Sequence, residues 1–328
     1  MAVRSDAGPK EGPSWERTRV GDEIPPFVRT TDLAHWNRYA AVNDEFIPIH
    51  MDPGAARAAG QPDVFGMGNL RISYLHNGLH QWLAGAGEIV DFRCEFRGLN
   101  FKGDRLVSRG SVTRKEEVRG ARLVHLELAV ENQEGKDTAP GRATVLLFGD
   151  AKGFALPEPP PTAPAAPPRP GRYLDQATID RLGEATAPVT SLPVGGNDIR
   201  RWAMATWYPE RVPLEFYDEE EAARGPWGGL VAPREFNPFA WMLGSPSGES
   251  WLRGMGTEPG KRVLNGGQRN RYFAPIRPGD QITQVSRFAN AFEKEGRLGA
   301  MLFFVNEARW TNQRGELVRV GNRTTIYY

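Results

Sequence analysis

The feature of this sequence that most constrains its fold is a pattern that occurs twice, on either side of a proline-rich stretch. That stretch, residues 151–171, contains eight prolines among alanines and glycines, a composition that favours a semi-rigid polyproline II linker. Four short motifs that precede it recur after it in the same order: 32–40 as 198–203, 51–57 as 217–224, 100–104 as 276–280, and 131–135 as 310–316. Recurrence in one order indicates duplication. We therefore predict two domains of one fold, at 15–150 and 172–328.

Length and charge narrow the classes of protein that fit. The 328 residues are enough for two domains that each bury a core. A net charge of +1 gives no electrostatic reason to expect nucleic acid or a membrane surface as partner. Residues 1–14 are polar and are predicted to form a flexible N-terminus without a signal region. No apolar run is long enough to span a bilayer, so we expect a soluble, cytoplasmic protein.

The periodicity of the first domain indicates one long helix followed by strands. Apolar residues recur at helical spacing from 67 to 83. Four segments with strand character follow, separated by glycine-containing turns: 89–96, 104–114, 121–132 and 143–148. Cys94, the single cysteine, lies in the first of them and is predicted to be a small core residue. This order predicts an α+β fold in which an antiparallel sheet wraps over the helix.

Two carboxylates and a histidine lie close together just before that helix. Asp44, Glu45 and His50 fall within segment 43–52. Pro48 fixes its own φ and favours extended geometry in the residue before it, so the three side chains are expected on a defined bend. An acid and a histidine in one short segment are typical of general acid–base chemistry.

The start of the long helix offers a second chemical group. The sequence there reads Gly66-Met67-Gly68. A helix that begins at such a sequence allows close backbone approach and leaves N–H donors free at its positive end. Acid, histidine and helix N-terminus together indicate a site that moves a proton beside a developing oxyanion.

Two of these motifs carry a family resemblance. Pro48-Ile49-His50 and Gly66-Met67 resemble the signature of the MaoC-like (R)-specific enoyl-CoA hydratases/dehydratases, which runs Ser-Gly-Asp-x-Asn-Pro-Ile-His and continues later with His-Gly-Met. Aligned without a gap, the family's catalytic Asp falls on Glu45 and its Asn on Ile47. With one inserted residue Asp44 takes the acid position, and we prefer Asp44 slightly because Asp is the residue the family uses. The family's helix-start His is Phe65 here.

The second half resembles the degenerate dehydratase domain of double-hot-dog proteins, most clearly at 271–280 and 293–297. The resemblance therefore implies two tandem hot-dog domains, each a sheet around a central helix, that form a pseudo-dimer. All five histidines precede the linker: His35, His50, His76, His80 and His125. The second central helix is predicted at 236–243, broken at Pro238 and ended by Gly244. We expect this half to be catalytically silent and to hold a bulky acyl group.

The resemblance implies reversible hydration of an enoyl-CoA thioester to its (R)-3-hydroxyacyl form. Its catalytic residues would be His50 with Asp44 or Glu45, and an oxyanion donor at Gly66 or Gly68. The predicted substrate contacts are Phe65, Met67, Phe239 and Trp241. No metal or cofactor is implied, since the CoA thioester is the substrate, and the expected assembly is a homo-oligomer or a complex with a partner hot-dog subunit.

Two other functions stay open. Ile47 in place of the family's Asn suggests a non-catalytic acyl-binding subunit, and the same carboxylate would also suit a hot-dog thioesterase. His76 and His80 lie one helical turn apart, as zinc ligands often do, but a third ligand is not evident and packing is the preferred interpretation. Four basic residues are candidates to meet CoA phosphates, although alternating charges on strands usually face solvent: Arg93, Arg97, Lys102 and Arg105.

Overall fold

The computed structural model describes residues 12–149, 158–164, 166–242, 259–260, 262–296 and 298–328. Within these ranges there are ten strands: β1 (Phe27–Thr30), β2 (Gly87–Glu95), β3 (Arg105–Val118), β4 (Ala121–Glu131), β5 (Gly141–Leu147), β6 (Val189–Thr190), β7 (Val263–Tyr272), β8 (Ile282–Gly296), β9 (Gly299–Asn312) and β10 (Leu317–Tyr327). The α-helices of the same ranges are α1 (Leu33–Asn43), α2 (Pro53–Ala58), α3 (Gly68–Leu83), α4 (Gln176–Asp180), α5 (Gly196–Trp207) and α6 (Glu219–Arg224). None of the described helices is long and apolar enough to cross a membrane.

All ten strands form one antiparallel sheet with two matching halves. Its order is β1-β3-β4-β5-β2-β7-β10-β9-β8-β6. The first five strands of this order belong to the first half of the chain and the last five to the second, and each half presents the same sequence of neighbours towards the centre. The predicted α+β class and the duplication are therefore confirmed.

The two halves are joined where β2 pairs with β7. Five residue pairs run from Asp91 with Arg271 to Glu95 with Gly267. Gly267 has φ +120°, and a Cβ at that position would clash with the carbonyl of Cys94. Only glycine permits so close an approach of the two backbones. Cys94 itself is fully buried, as predicted.

Helix α3 is the element around which the sheet curves. Every residue from 70 to 79 is buried, so the helix is enclosed on all sides and not only on one face. Two of its buried polar side chains donate to backbone carbonyls of the surrounding elements. Arg71 Nη1 donates to the carbonyls of Gly98 and Thr138, at 2.6 and 3.0 Å, and Asn77 Nδ2 donates to the carbonyl of Thr206 at 3.0 Å.

The predicted helix of the second half is not formed in its described part. Residues 236–242 make turns, whereas Gly244, the predicted end, lies outside the described residues. Two local causes are visible. Pro238 supplies no N–H, and the side-chain Oδ1 of Asn237 accepts the N–H of Phe239 at 3.1 Å, which stabilises a turn in competition with a helix.

Residues 158–164 of the proline-rich stretch have no regular secondary structure and are hydrogen-bonded to the sheet. The Thr162 N–H donates to Glu307 Oε2 at 2.7 Å, and Asn322 Nδ2 donates to Thr162 Oγ1 at 2.6 Å. These side chains therefore mark the outer face of β9 and β10.

The buried histidines predict a loss of stability in mild acid. Burial lowers the pKa of His35 and of His76 to about 4 each. The unfolded chain binds these protons near pH 6.5, whereas the folded chain binds them only near pH 4, so the free energy of unfolding falls as the pH falls through this range. Between pH 6.5 and 5, the protonation of each histidine should lower the free energy of unfolding by about 2 kcal/mol.

Urea unfolding of the unaltered protein and of His76→Gln at both pH values checks this. The glutamine does not titrate, so the variant should lose about 2 kcal/mol less than the unaltered protein between pH 6.5 and 5. An identical loss in both proteins would contradict the prediction.

Candidate active site

His50 is held in a single tautomer by the backbone. It ends a 3-10 helix, Pro48–His50, and is buried. Its Nδ1 lies 2.7 Å from the carbonyl oxygen of Phe65. A carbonyl oxygen only accepts, so Nδ1 carries the hydrogen and Nε2 keeps its lone pair. Burial lowers the pKa of His50, so the ring is neutral at pH 7 and Nε2 can accept a proton.

The two candidate acids have different environments. Asp44 caps the C-terminus of α1 in the left-handed region, with φ 52°, and its side chain is exposed. Glu45 is partly buried, and its Oε2 accepts a hydrogen bond of 2.7 Å from Asn43 Nδ2. Burial raises the pKa of Glu45, and hydrogen bonds from Asn43 and Asn69 oppose that rise. The acid that turns inward is thus Glu45, although the family pattern led us to prefer Asp44.

A chain of asparagine amides connects Glu45 to the second half of the protein. Asn237 uses its Oδ1 to accept the N–H of Phe239, so its Nδ2 is the group that donates to Asn43 Oδ1, at 2.8 Å. Asn43 must therefore direct its own Nδ2 towards Glu45. The turn that replaces the second central helix thereby sets the orientation of the amide that supports the acid.

The start of α3 corrects one predicted role. The N–H of Gly66 donates to the carbonyl of Asn100 at 2.9 Å, so it is not available as an oxyanion donor. Gly66 is required for another reason, because a Cβ there would clash with the side chains of Asn100 and Trp36. Gly68 is the first residue of α3 and is partly exposed. Its N–H has no carbonyl one turn earlier in the helix to bond to, and it lies at the positive end of the helix dipole.

These groups converge on one short segment. His50 contacts the carbonyl of Phe65, and the side chain of Asn69 lies close enough to Glu45 to lower its pKa. The four residue steps from Phe65 to Asn69 span at most about 14 Å, and Gly68 lies between them. A neutral base, a carboxyl group of raised pKa and a helix N-terminus therefore all lie at the segment 65–69.

The predicted substrate contacts have different environments. Met67 is completely buried and belongs to the core, so it cannot contact a substrate. Phe65 is partly buried, with its ring 4.9 Å from that of His50. Phe239 is partly buried and packs against Trp310 at 5.1 Å. Trp241 is 58% exposed, and its Nε1 donates to the carbonyl of Ala41 at 2.7 Å.

Several of the remaining histidines and basic residues have structural partners. His76 Nδ1 donates to the carbonyl of Ile72, and His80 Nε2 lies 2.7 Å from Glu215 Oε1. Across the described ranges, no group of three His, Cys, Asp or Glu side chains could hold a metal. Arg93 and Arg97 both pair with the exposed side of Glu95.

Sequence reasoning missed part of the site. Asn43 and Asn69 lie inside segments that it had singled out, but neither was given a role. Asn237 and Arg323 come from the second half and reach Glu45 only through the tertiary fold, Asn237 through Asn43 and Arg323 through its charge. No local pattern signals them.

Two family models match the chain, one in each half. A MaoC like domain matches residues 20–134, and a FAS1-like, dehydratase domain region matches residues 181–320. No curated protein matches the sequence.

Solved structures match over nearly the whole length. A protein from Chloroflexus aurantiacus assigned to the MaoC domain dehydratases has a TM-score of 0.66 at 13% identity and covers 99% of both chains. Rv0216 from Mycobacterium tuberculosis, which has a double hot-dog fold, has a TM-score of 0.62 at 15% identity and covers 97% of this chain and 99% of its own. The peroxisomal multifunctional enzyme type 2 from Drosophila melanogaster has a TM-score of 0.53 at 13% identity, over 93% of this chain and 48% of its own.

At these sequence identities the solved structures show the fold alone. That fold is the double hot-dog, in agreement with the sheet order. The two family models together match most of the chain. The chain thus combines a match to a MaoC like domain in its first half with a match to a FAS1-like, dehydratase domain region in its second, on the double hot-dog fold.

Proposed function

We propose that this protein catalyses the reversible hydration of an enoyl-CoA thioester, or equally the dehydration of an (R)-3-hydroxyacyl-CoA. The observation that carries the proposal is a neutral His50 of fixed tautomer, which shares the start of α3 with the inward-facing Glu45. The MaoC-like model of the first half supports the same chemistry. The thioester is the substrate, and no step requires a metal or redox cofactor.

In the dehydration direction, His50 acts as the base. Its Nε2 takes a proton from C2 of the hydroxyacyl thioester, and the electron pair moves to the thioester oxygen. The resulting enolate accepts a hydrogen bond from the Gly68 N–H, where the helix dipole favours negative charge. Because the donor is part of the backbone of an enclosed helix, it needs no reorganisation during the reaction.

Glu45 acts as the acid in the second half of the reaction. The enolate re-forms the carbonyl, the C2–C3 double bond forms, and the C3–O bond breaks. The protonated Glu45 gives its proton to the departing hydroxyl, which leaves as water. The raised pKa of Glu45 suits this role, because it increases the protonated fraction near neutral pH. In hydration the two groups exchange roles: Glu45 takes a proton from water and His50 returns one to C2.

Replacing His50 tests the base. His50→Gln keeps a donor for the Phe65 carbonyl but removes the titrating lone pair, so kcat for crotonyl-CoA hydration should fall at least about 100-fold while the thermal midpoint stays near that of the unaltered protein. Loss of the conjugated double bond is measured by absorbance. His125→Gln, on β4 and away from the start of α3, is the matched control and should keep full activity. A His50→Gln variant within a few-fold of the control would exclude the assigned role.

Parallel amide substitutions distinguish the two acids. Glu45→Gln should lower kcat at least about tenfold, because the proton donor is lost. Asp44→Asn should stay within about threefold, because its side chain is exposed and an Asn also tolerates left-handed backbone geometry. The reverse order of effects would assign the acid to Asp44.

One assay separates the alternatives. If the unaltered protein hydrates no enoyl-CoA but still binds acyl-CoA, the function as an acyl-binding subunit is supported instead. Release of free thiol without loss of the double bond would indicate a thioesterase.

We further infer that the acyl group is bulky. Residues 236–242 form a turn where a second central helix is predicted, and this turn contacts the first half, since Asn237 bonds to Asn43 and Trp241 to the carbonyl of Ala41. Apolar acyl groups buried there would gain about 25 cal/mol per Å².

Filling this space tests the inference. Ala240→Phe should lower kcat/KM for a long or ring-bearing enoyl-CoA about tenfold or more, because the new ring occupies volume that only such a substrate needs. The value for crotonyl-CoA should change little and serves as the internal control. Equal losses for both substrates would indicate that the second half is only a structural partner.

A further inference from the structure

Arg319 lies on the inner face of the sheet, between the two halves of the molecule. Its backbone pairs with Tyr272 of β7 on one side and with Trp310 of β9 on the other. Side chains alternate along a strand, and Asn322 of β10 points to the outer face, where it bonds to Thr162. Arg319 is an odd number of residues away and therefore faces inward.

The guanidinium of Arg319 has no anionic partner. It lies over the ring of Trp310, with Cζ 3.2 Å from the ring centroid. Its Nε is enclosed and has no hydrogen-bond partner, and the group forms no hydrogen bond or ion pair with the described residues. Burial lowers the pKa of Arg319 to about 10, which still leaves it a cation at pH 7.

Two other enclosed arginines show what a purely structural role looks like here. Arg29 pairs with Glu210 and donates to the carbonyl of Trp207. Arg71 donates to two carbonyls. Arg319 is partly buried and has neither kind of partner, so the cost of dehydrating part of its charge is offset only by contact with one aromatic face. An anion brought by a ligand would supply the missing partner.

The surroundings of Arg319 suit the end of an acyl chain. Phe239 packs against Trp310, so an apolar surface adjoins the cation. Arg323 lies on the same face of β10 as Arg319, about 13 Å further along the strand, and its charge acts on Glu45. The face of β10 thus runs from the candidate active site to Arg319.

We propose that Arg319 binds a carboxylate at the far end of the acyl group, so that the substrates are ω-carboxyacyl-CoA thioesters. That the ligand is a CoA thioester rests on the proposed function. A planar guanidinium matches a carboxylate in a bidentate arrangement. We favour this source of the anion over the CoA phosphates because Arg319 is enclosed beside aromatic rings, whereas phosphates are strongly hydrated.

Calorimetric binding of saturated thioesters tests the proposal without requiring turnover. Succinyl-, adipyl-, suberyl- and sebacyl-CoA are compared with the monocarboxyl thioesters of equal length. At one chain length or more, the carboxyl-terminated ligand should bind at least tenfold more tightly to the unaltered protein. Arg319→Met, similar in length but neutral, should abolish that preference and leave binding of the methyl-terminated ligand within threefold. Arg319→Lys keeps the positive charge but not the planar guanidinium that can bind a carboxylate through two nitrogens. This variant should retain part of the preference.

Three results would overturn the carboxylate site. The first is that the unaltered protein shows no preference for the carboxyl-terminated ligand at any chain length. The second is that Arg319→Met loses affinity equally for both ligand series, as expected if CoA phosphates bind there. The third is that Arg319→Met has a lowered thermal midpoint but keeps the preference for the carboxyl-terminated ligand. Removing an unpaired buried cation should instead keep or raise that midpoint. If Arg319→Met does not fold, the Arg319→Lys data decide. A carboxylate preference in a protein that hydrates no enoyl-CoA would support the site and contradict the proposed function.

Discussion

The complete enclosure of α3 is the constraint on which the rest of this structure depends. A helix buried on every side needs a second wall, and the chain supplies it by continuing the sheet from β2 into β7. Enclosure also favours partners for the buried polar side chains of the helix, and both halves supply them. His76 illustrates this, because its Nε2 accepts from the Tyr272 hydroxyl at 3.1 Å. Residues 70–79 are all buried, whereas the first turn, with Gly68 and Asn69, and the last turn, with the exposed Gln81, are more accessible.

The two halves repeat each other but have diverged at the chemistry. Both contain a short 3-10 helix followed by an Asp-capped α-helix, and the 3-10 helix ends at His50 in the first half and at Phe216 in the second. Both place an N–H onto a β-turn carbonyl, from Gly66 to Asn100 and from Ala232 to Ile276, each at 2.9 Å. The second half thus has the same backbone arrangement as the first but lacks the histidine.

What the second half has in place of a central helix is a turn that serves the first half. Asn237 orients the amide beside Glu45, and Phe239 packs against Trp310 near Arg319. In a helix the Phe239 N–H would bond to a backbone carbonyl, and the Asn237 amide would lose the bond that orients it. The described turn therefore places a polar contact of the second half beside the candidate acid of the first.

The sequence by itself determined the features that depend on local chemistry and on order along the chain. Pro48 marked the bend, the period of 67–83 marked α3, and the recurring motifs marked the duplication, because each depends on near neighbours alone. The tertiary structure alone decided three further features. These are which carboxylate turns inward, which glycine keeps a free N–H, and the burial of Met67 in the core. Burial and hydrogen-bond partners are set by elements far away in the chain: Asn100 occupies the N–H of Gly66, and Asn237 reaches Asn43 across 194 positions. No local pattern encodes such contacts.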